Sequence, residues 1–185
     1  IREALRAQEL EPLSPTISAL VGMVYLFAHR YDLAAEACER GLEIDPAAVP
    51  AMWTLGVTYW HLSRCAAAIT ALEKAAALSQ SPALLAVLGW VCGQCGRKEQ
   101  VNQVLEELRA RSARSYVPAE SFALLHFARE EMNEGFDWLE KAFDERSAHV
   151  WFLMRWPSFE NVRADPRWPV LLWKVGLEAL AEPSA

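Results

Sequence analysis

One spacing governs what this chain can fold into. Gly22, Tyr25 and Ala34 return as Gly56, Tyr59 and Ala68, each displaced by 34 residues. Gly89 and Val101 follow 33 residues later, and Ala123 and Gly135 after a further 34. Self-similarity at this period marks a supersecondary unit that cannot bury its apolar face alone and must stack on its neighbours. The chain is therefore expected to be a stack of helix pairs. Its function should lie on a surface shared by several repeats rather than in one catalytic pocket.

The residue types at the repeated positions have a physical reason. Glycine inside a helix costs about 1 kcal/mol relative to alanine, so Gly22, Gly56 and Gly89 in equivalent places imply a close approach of two helices. The small residues Ala34, Ala68 and Gly135 are expected to oppose that approach, because larger side chains would force a close-packed pair apart. Tyr25 and Tyr59 fall one turn beyond the glycine on the same helix face. Val101 and Gly135 depart from the pattern of the first two copies.

In phase with this period, first helices are expected near 15–28, 49–62, 82–95 and 117–131. Second helices are expected near 31–44, 65–78, 98–112 and 133–145. Asp45-Pro46 and Ser81-Pro82 fall at the breaks, where proline stops or starts a helix. Residues 1–11 match the second helix of a preceding pair, since Glu11-Pro12 stands 34 residues before Asp45-Pro46. The chain is thus expected to enter in mid-repeat and to be cut from a longer protein.

Met52, Leu55, Gly56, Tyr59, Ala68 and Leu72 form one full copy. Ser18, Val21, Gly22, Tyr25, Ala34, Cys38 and Pro46 form the one before it. Leu85, Leu88, Gly89, Cys92, Val101 and Leu105 form a third, and Ala119, Phe122, Ala123, His126, Gly135 and Leu139 a degenerate fourth. This pattern resembles the tetratricopeptide repeat (TPR), whose signature is W-x2-L-G-x2-Y, A-x3-F and P. The resemblance implies an all-α, right-handed α-solenoid of antiparallel helix pairs. The divisions expected are 1–14 for the second helix of a truncated repeat, then repeats at 15–48, 49–81, 82–115 and 116–148, with capping helices over 149–185. The capping region is rich in aromatics: Trp151, Phe152, Trp156, Phe159, Trp168 and Trp173. Asp165-Pro166 reads there as a helix N-cap with proline in the first turn. The run from Phe159 to Trp168 is similar to a segment that follows the last repeat in many bacterial regulators, cyclases and protein kinases with C-terminal TPR arrays. The implied setting is the C-terminal part of a larger bacterial regulator.

Charge sorts with the repeat. The first helices of the first three pairs carry no Asp, Glu, Lys or Arg, whereas the second helices carry most of them, among them Glu36, Glu39, Arg40, Glu73, Lys74, Glu106 and Arg109. In a TPR superhelix the first helices line the concave groove, so the resemblance implies an uncharged groove and a charged exterior. Met23, Leu26, Trp53, Val57, Trp60, His61, Trp90, Leu124 and Phe127 are the expected groove residues, with Trp53, Trp60 and Trp90 as anchors. Exposed apolar strips of this kind mark binding sites, and tryptophan and methionine are enriched at interface centres. The implied partner is a protein or peptide with an apolar segment. Two alternatives stay open. The aromatic tail, through Trp151, Phe152 and Trp156, can fold back and fill the groove, or the module can pair with a second copy as a homo-oligomer. The Lys/Asn clamp with which some TPR adaptors hold a terminal carboxylate is missing from these positions.

Other chemistries are disfavoured by composition and spacing. A net charge of −6 offers no basic footprint for nucleic acid. The basic residues among the tail aromatics are offset by Asp144, Glu145, Glu160 and Asp165. Three charge-free stretches, 12–28, 46–63 and 75–96, are broken by proline or polar turns, so no membrane span is expected. With hydrophobic residues at 53% the chain needs no disulfide staples, and Cys38, Cys65, Cys92 and Cys95 read as reduced thiols of a cytoplasmic protein. Cys92-Gly-Gln-Cys95 has redox or zinc spacing but lacks a second ligand pair, and Cys92 occupies the core place of Tyr25 and Tyr59. His29, His61, His126 and His149 are scattered, His126 as a packed core residue and His61 beside the groove. No nucleophile–base constellation, phosphate loop, metal site or cofactor motif is present in the sequence. The expectation is a non-enzymatic module.

Overall fold

The computed structural model describes residues 1–147, 150, 159–174 and 176. Every element among them is helical. α1 (Arg2–Leu10) leads into α2 (Pro15–Phe27) and α3 (Tyr31–Ile44), α4 (Val49–His61) and α5 (Cys65–Ser79), α6 (Pro82–Gln94) and α7 (Lys98–Ser112), and α8 (Ala119–Ala128) and α9 (Met132–Asp144). Two short helices close the described region, α10 (Glu160–Arg163) and α11 (Arg167–Lys174). The eight paired helices lie within three residues of the bounds their spacing predicts.

Starts and stops follow local chemistry. Proline opens α2 and α6 from the first turn, where its missing N–H is harmless. The Ser14 hydroxyl accepts the Ile17 N–H at 3.4 Å. Each first helix ends in one repeated turn. His29, Ser63, Gly96 and Glu130 all have positive φ, between 56° and 73°. In each case the next N–H reaches back to the helix, as in Arg64 N–H to the Tyr59 carbonyl at 2.8 Å and Glu131 N–H to the His126 carbonyl at 3.0 Å. This left-handed closure satisfies the last carbonyls and turns the chain into the antiparallel partner. Glycine suits it best, yet only one of the four positions is glycine.

The close approach expected at Gly22 and Gly56 is present. A Cβ on Gly56 would meet the Leu72 side chain at 2.5 Å and the Ala68 carbonyl at 3.1 Å; on Gly22 it would strike Cys38 Sγ and lie 3.2 Å from the Ala34 carbonyl. Within the stack, α2 packs along α4 and α6 along α8, but α4 barely touches α6. The second and third pairs are joined instead through α5 against α6.

The thiols differ from the sequence expectation. Cys65 and Cys95 are disulfide-bonded, with Cα atoms 5.9 Å apart. Because α5 and α6 are antiparallel neighbours, the first residue of one faces the residue that follows the other. Composition weighed the need for a staple but carried no information on this adjacency. Cys38 and Cys92 are free and buried. Burial pushes the Cys92 thiol up to about 11 and the Cys38 thiol up to about 12.

At the C-terminal end, Asp165 ties down α11. Its carboxylate accepts the Arg167 backbone N–H at 3.0 Å and two guanidinium N–H groups at 2.9 and 2.8 Å. These bonds hold its pKa at about 2. α11 itself starts at Arg167, one residue later than the sequence pattern places it.

Candidate groove

Helices α2, α4 and α6 carry no Asp, Glu, Lys or Arg, so one side of the stack offers only apolar and neutral polar side chains. The nine expected groove residues divide along it. Met23, Trp53, Trp60 and His61 are half-buried. Leu26, Val57, Trp90, Leu124 and Phe127 are only 0–4% exposed. These last five are core in this structure, which corrects their reading as open groove lining. Phe159 covers part of that face, and first helices pack along one another elsewhere, α2 along α4 and α6 along α8.

The cover at the C-terminal end is Phe159, which is fully buried. Its ring lies 5.1 Å from that of Trp90 and 5.8 Å from that of Phe127, both edge-on. Edge-to-face contacts of this kind add to the area that the ring buries. Phe159 thus packs on two of the expected groove residues at this end. Trp151, Phe152, Trp156 and His149 lie outside the described residues. Trp168, Leu171 and Leu172 of α11 are buried behind it, and Arg167 sits over the Phe136 ring at 4.3 Å.

Nearer the N-terminus the face is more open and more polar. His61 stacks on Tyr31, with ring centroids 4.4 Å apart and planes 7° from parallel, and lies 4.5 Å from the Trp60 ring. The Tyr31 hydroxyl and His29 Nδ1 are hydrogen-bonded at 2.7 Å. Burial and the nearby His29 bring the His61 pKa down to about 4, against an opposing pull from Glu160. The imidazole is therefore neutral near pH 7. A cleft of about 620 Å³ opens beside Phe159's partners, lined by Trp60, Trp90, Gly93 and Phe127 together with Glu160 and Asn161 of α10.

The remaining candidates take ordinary structural roles. His126 is 7% exposed and bonded to Glu131 at 2.7 Å. Burial would raise the Glu131 pKa, but hydrogen bonds from His126 and Arg129 bring it below the usual value. Cys92 does not pair with Cys95, whose partner is Cys65. Among the described residues no group of three or more His, Cys, Asp or Glu side chains could hold a metal ion. No described helix is long and apolar enough to cross a membrane. Sequence reasoning missed Tyr31 as the partner of His61. The signal was available, because both residues stand at helix ends that the repeat makes neighbours.

No protein-family profile matches the chain, and no curated protein matches it. Solved structures do. A crystal structure of the APC/C hetero-tetramer Cut9–Hcn1 matches 96% of this chain at 16% identity with a TM-score of 0.62; the match spans 33% of that neighbour's length. PilF of Pseudomonas aeruginosa matches 92% of the chain and 78% of its own at 18% identity and a TM-score of 0.56. A tetratricopeptide repeat protein from Parabacteroides merdae matches 99% of the chain and 72% of its own at 15% identity and a TM-score of 0.54. Likenesses at 15–18% identity carry the architecture and nothing finer: the chain folds as a tetratricopeptide-repeat α-solenoid.

Proposed function

We propose that this chain is a non-enzymatic protein- or peptide-binding module, serving as the interaction or sensing part of a larger regulator. The observation that carries the reading is the uncharged face of α2 and α4, where Met23, Trp53, Trp60 and His61 remain half-exposed. Large indoles at the edge of a groove gain by desolvation against an apolar partner, and a groove this narrow suits a short helix or an extended segment. The neighbours support interaction in a general sense, one of them being part of a hetero-tetramer. The partner proposed is a segment with apolar residues at helical or alternating spacing.

The test is a displayed peptide library, with each hit re-measured against a chain bearing Trp53→Ala and Trp60→Ala. Affinity should fall on the order of tenfold or more, as expected when anchor aromatics are truncated, with the helical circular dichroism unchanged. Hits that bind the double variant as tightly would remove the groove from the reading. Loss of the helical signal would assign both indoles to the core.

A second reading rests on Phe159. With Phe159 packed on Trp90 and Phe127 at the C-terminal end, the module can serve self-association, with the more exposed face of α2 and α4 pairing to a second copy. Light scattering that stays monomeric over a wide concentration range would end that alternative.

A further inference from the structure

The junction between the second and third helix pairs differs from the others in two ways. First, α4 barely touches α6, although α2 packs along α4 and α6 along α8. Second, this junction carries the disulfide, from the first residue of α5 to the residue that closes α6. A cleft of about 380 Å³ bordered by Ala66, Ile69, Arg97 and Gln100 opens beside it, as one of about 540 Å³ does between the first and second pairs. A bond placed where packing is thinnest restrains the relative motion of two bodies more than one placed inside a well-packed pair.

We propose that Cys65–Cys95 is a thiol–disulfide exchange site, opened by a dithiol reductant, that locks a hinge between the first two helix pairs and the last two. It goes beyond the peptide-binding reading and stands whether or not a partner is found. The smaller cleft gives access, because Ala66 follows Cys65 and Arg97 lies two residues past Cys95, and both cysteines are only half-buried. The exposed Arg64 and Arg97 flank the two sulfurs in sequence.

The direction of exchange follows from placement. Cys65 is the first residue of the 15-residue helix α5, where unpaired N–H groups and the helix dipole stabilise a thiolate. Cys65 is accordingly the better leaving group. A thiolate of the reductant attacks Cys95 Sγ, the Cys65–Cys95 bond breaks, and Cys65 departs as thiolate. The second thiol of the reductant, as thiolate, then attacks its own sulfur in the mixed disulfide and releases Cys95 as thiolate, which takes up a proton. Two electrons pass from the dithiol, which becomes a disulfide, to the protein, which gains two thiols. Cys92, three residues from Cys95, does not substitute for the external thiol. It is buried, and burial holds its thiol near 11, so its thiolate is scarce at neutral pH.

Hydrogen exchange read by mass spectrometry on the full chain, oxidised and after treatment with dithiothreitol, tests the hinge. Reduction should speed amide exchange on the order of tenfold in the turn from 79 to 84 and along α6, with α8 and α9 unchanged, since local opening is reported segment by segment. Cys65→Ala with Cys95→Ala should reproduce the reduced pattern. A uniform rise over all helices would make the bond a general staple and overturn the hinge. No change at all would do the same. Peptide mapping of the non-reduced chain should find Cys65 joined to Cys95; free thiols at both would overturn the site. Brief exposure to limiting glutathione, followed by acid quench, should leave the adduct on Cys95. An adduct mainly on Cys65 would overturn the assigned direction.

Discussion

The two ends of the groove are built from the same repeat and differ in what covers them. Between α6 and α8 the face is buried: Trp90 and Phe127 pack against Phe159, a residue more than thirty positions downstream of Phe127, and Leu124 is buried with them. Between α2 and α4 the equivalent face keeps half-exposed indoles and a stacked His61–Tyr31 pair. A repeat therefore sets where an apolar strip lies, and the non-repeating tail decides which part of it remains available. The disulfide stands at the boundary between the two regimes.

That contrast can be broken at its sealed end. Phe159→Ala should destabilise the chain by about 4 kcal/mol in urea denaturation, the cost of emptying a fully buried aromatic site. A loss under about 1 kcal/mol would mean that the cap contributes little and that both ends are equally open. At the boundary, Cys65→Ala with Cys95→Ala should cost about 3 kcal/mol, because a bond across 30 residues of sequence restricts the unfolded chain. A loss near zero would show that α5 against α6 holds the two regions together unaided.

Smaller effects sharpen the comparison. Ser63 and Gly96 occupy equivalent left-handed turns, one at the open end and one at the sealed end, with φ of 60° and 73°. Ser63→Gly should raise stability by about 0.5–1 kcal/mol, the relief of a side chain in that region less the extra freedom of the unfolded glycine. Gly96→Ala should lower it by a similar amount, and equal responses in thermal melts would show that the turns are interchangeable. The smallest effect concerns pH. His61 in the unfolded chain takes up a proton near 6.5, but in the fold only near 4. The unfolded state binds more protons across that window, so stability should fall as pH drops from about 6.5 to about 4. His61→Gln should flatten this part of the profile relative to the parent. An unchanged profile would show that the Tyr31–His61 stack is wetter than its geometry implies.

Much of the architecture was legible because it depends on period and residue size. Gly22 and Gly56 sit where the spacing puts them, against Cys38 and Leu72, and the uncharged helices share one face. Among the four turns that close the first helices, residue type marks the left-handed geometry only at Gly96. His29, Ser63 and Glu130 adopt the same positive φ without its residue type, since helix packing on both sides imposes the closure whatever side chain stands there. Val57 and Trp90 occupy equivalent places in their repeats and both are buried, yet the Phe159 ring that packs on Trp90 lies far downstream of the repeat that positions that indole. The Cys65–Cys95 pairing required knowing which helix ends meet, and that is a property of the stack rather than of either segment.

The bond also changes how the chain would respond to force. Pulled from its ends, a repeat stack gives up its helices one pair at a time and lengthens as it does. The stretch between Cys65 and Cys95 lies outside the loaded path while the bond is intact, which withholds about 100 Å of extended chain. Tension would then unravel the flanking helices first and leave most of α5 and α6 slack. Reduction would return that hidden length, so a single covalent bond sets how far this solenoid can stretch before it reads as a bare chain.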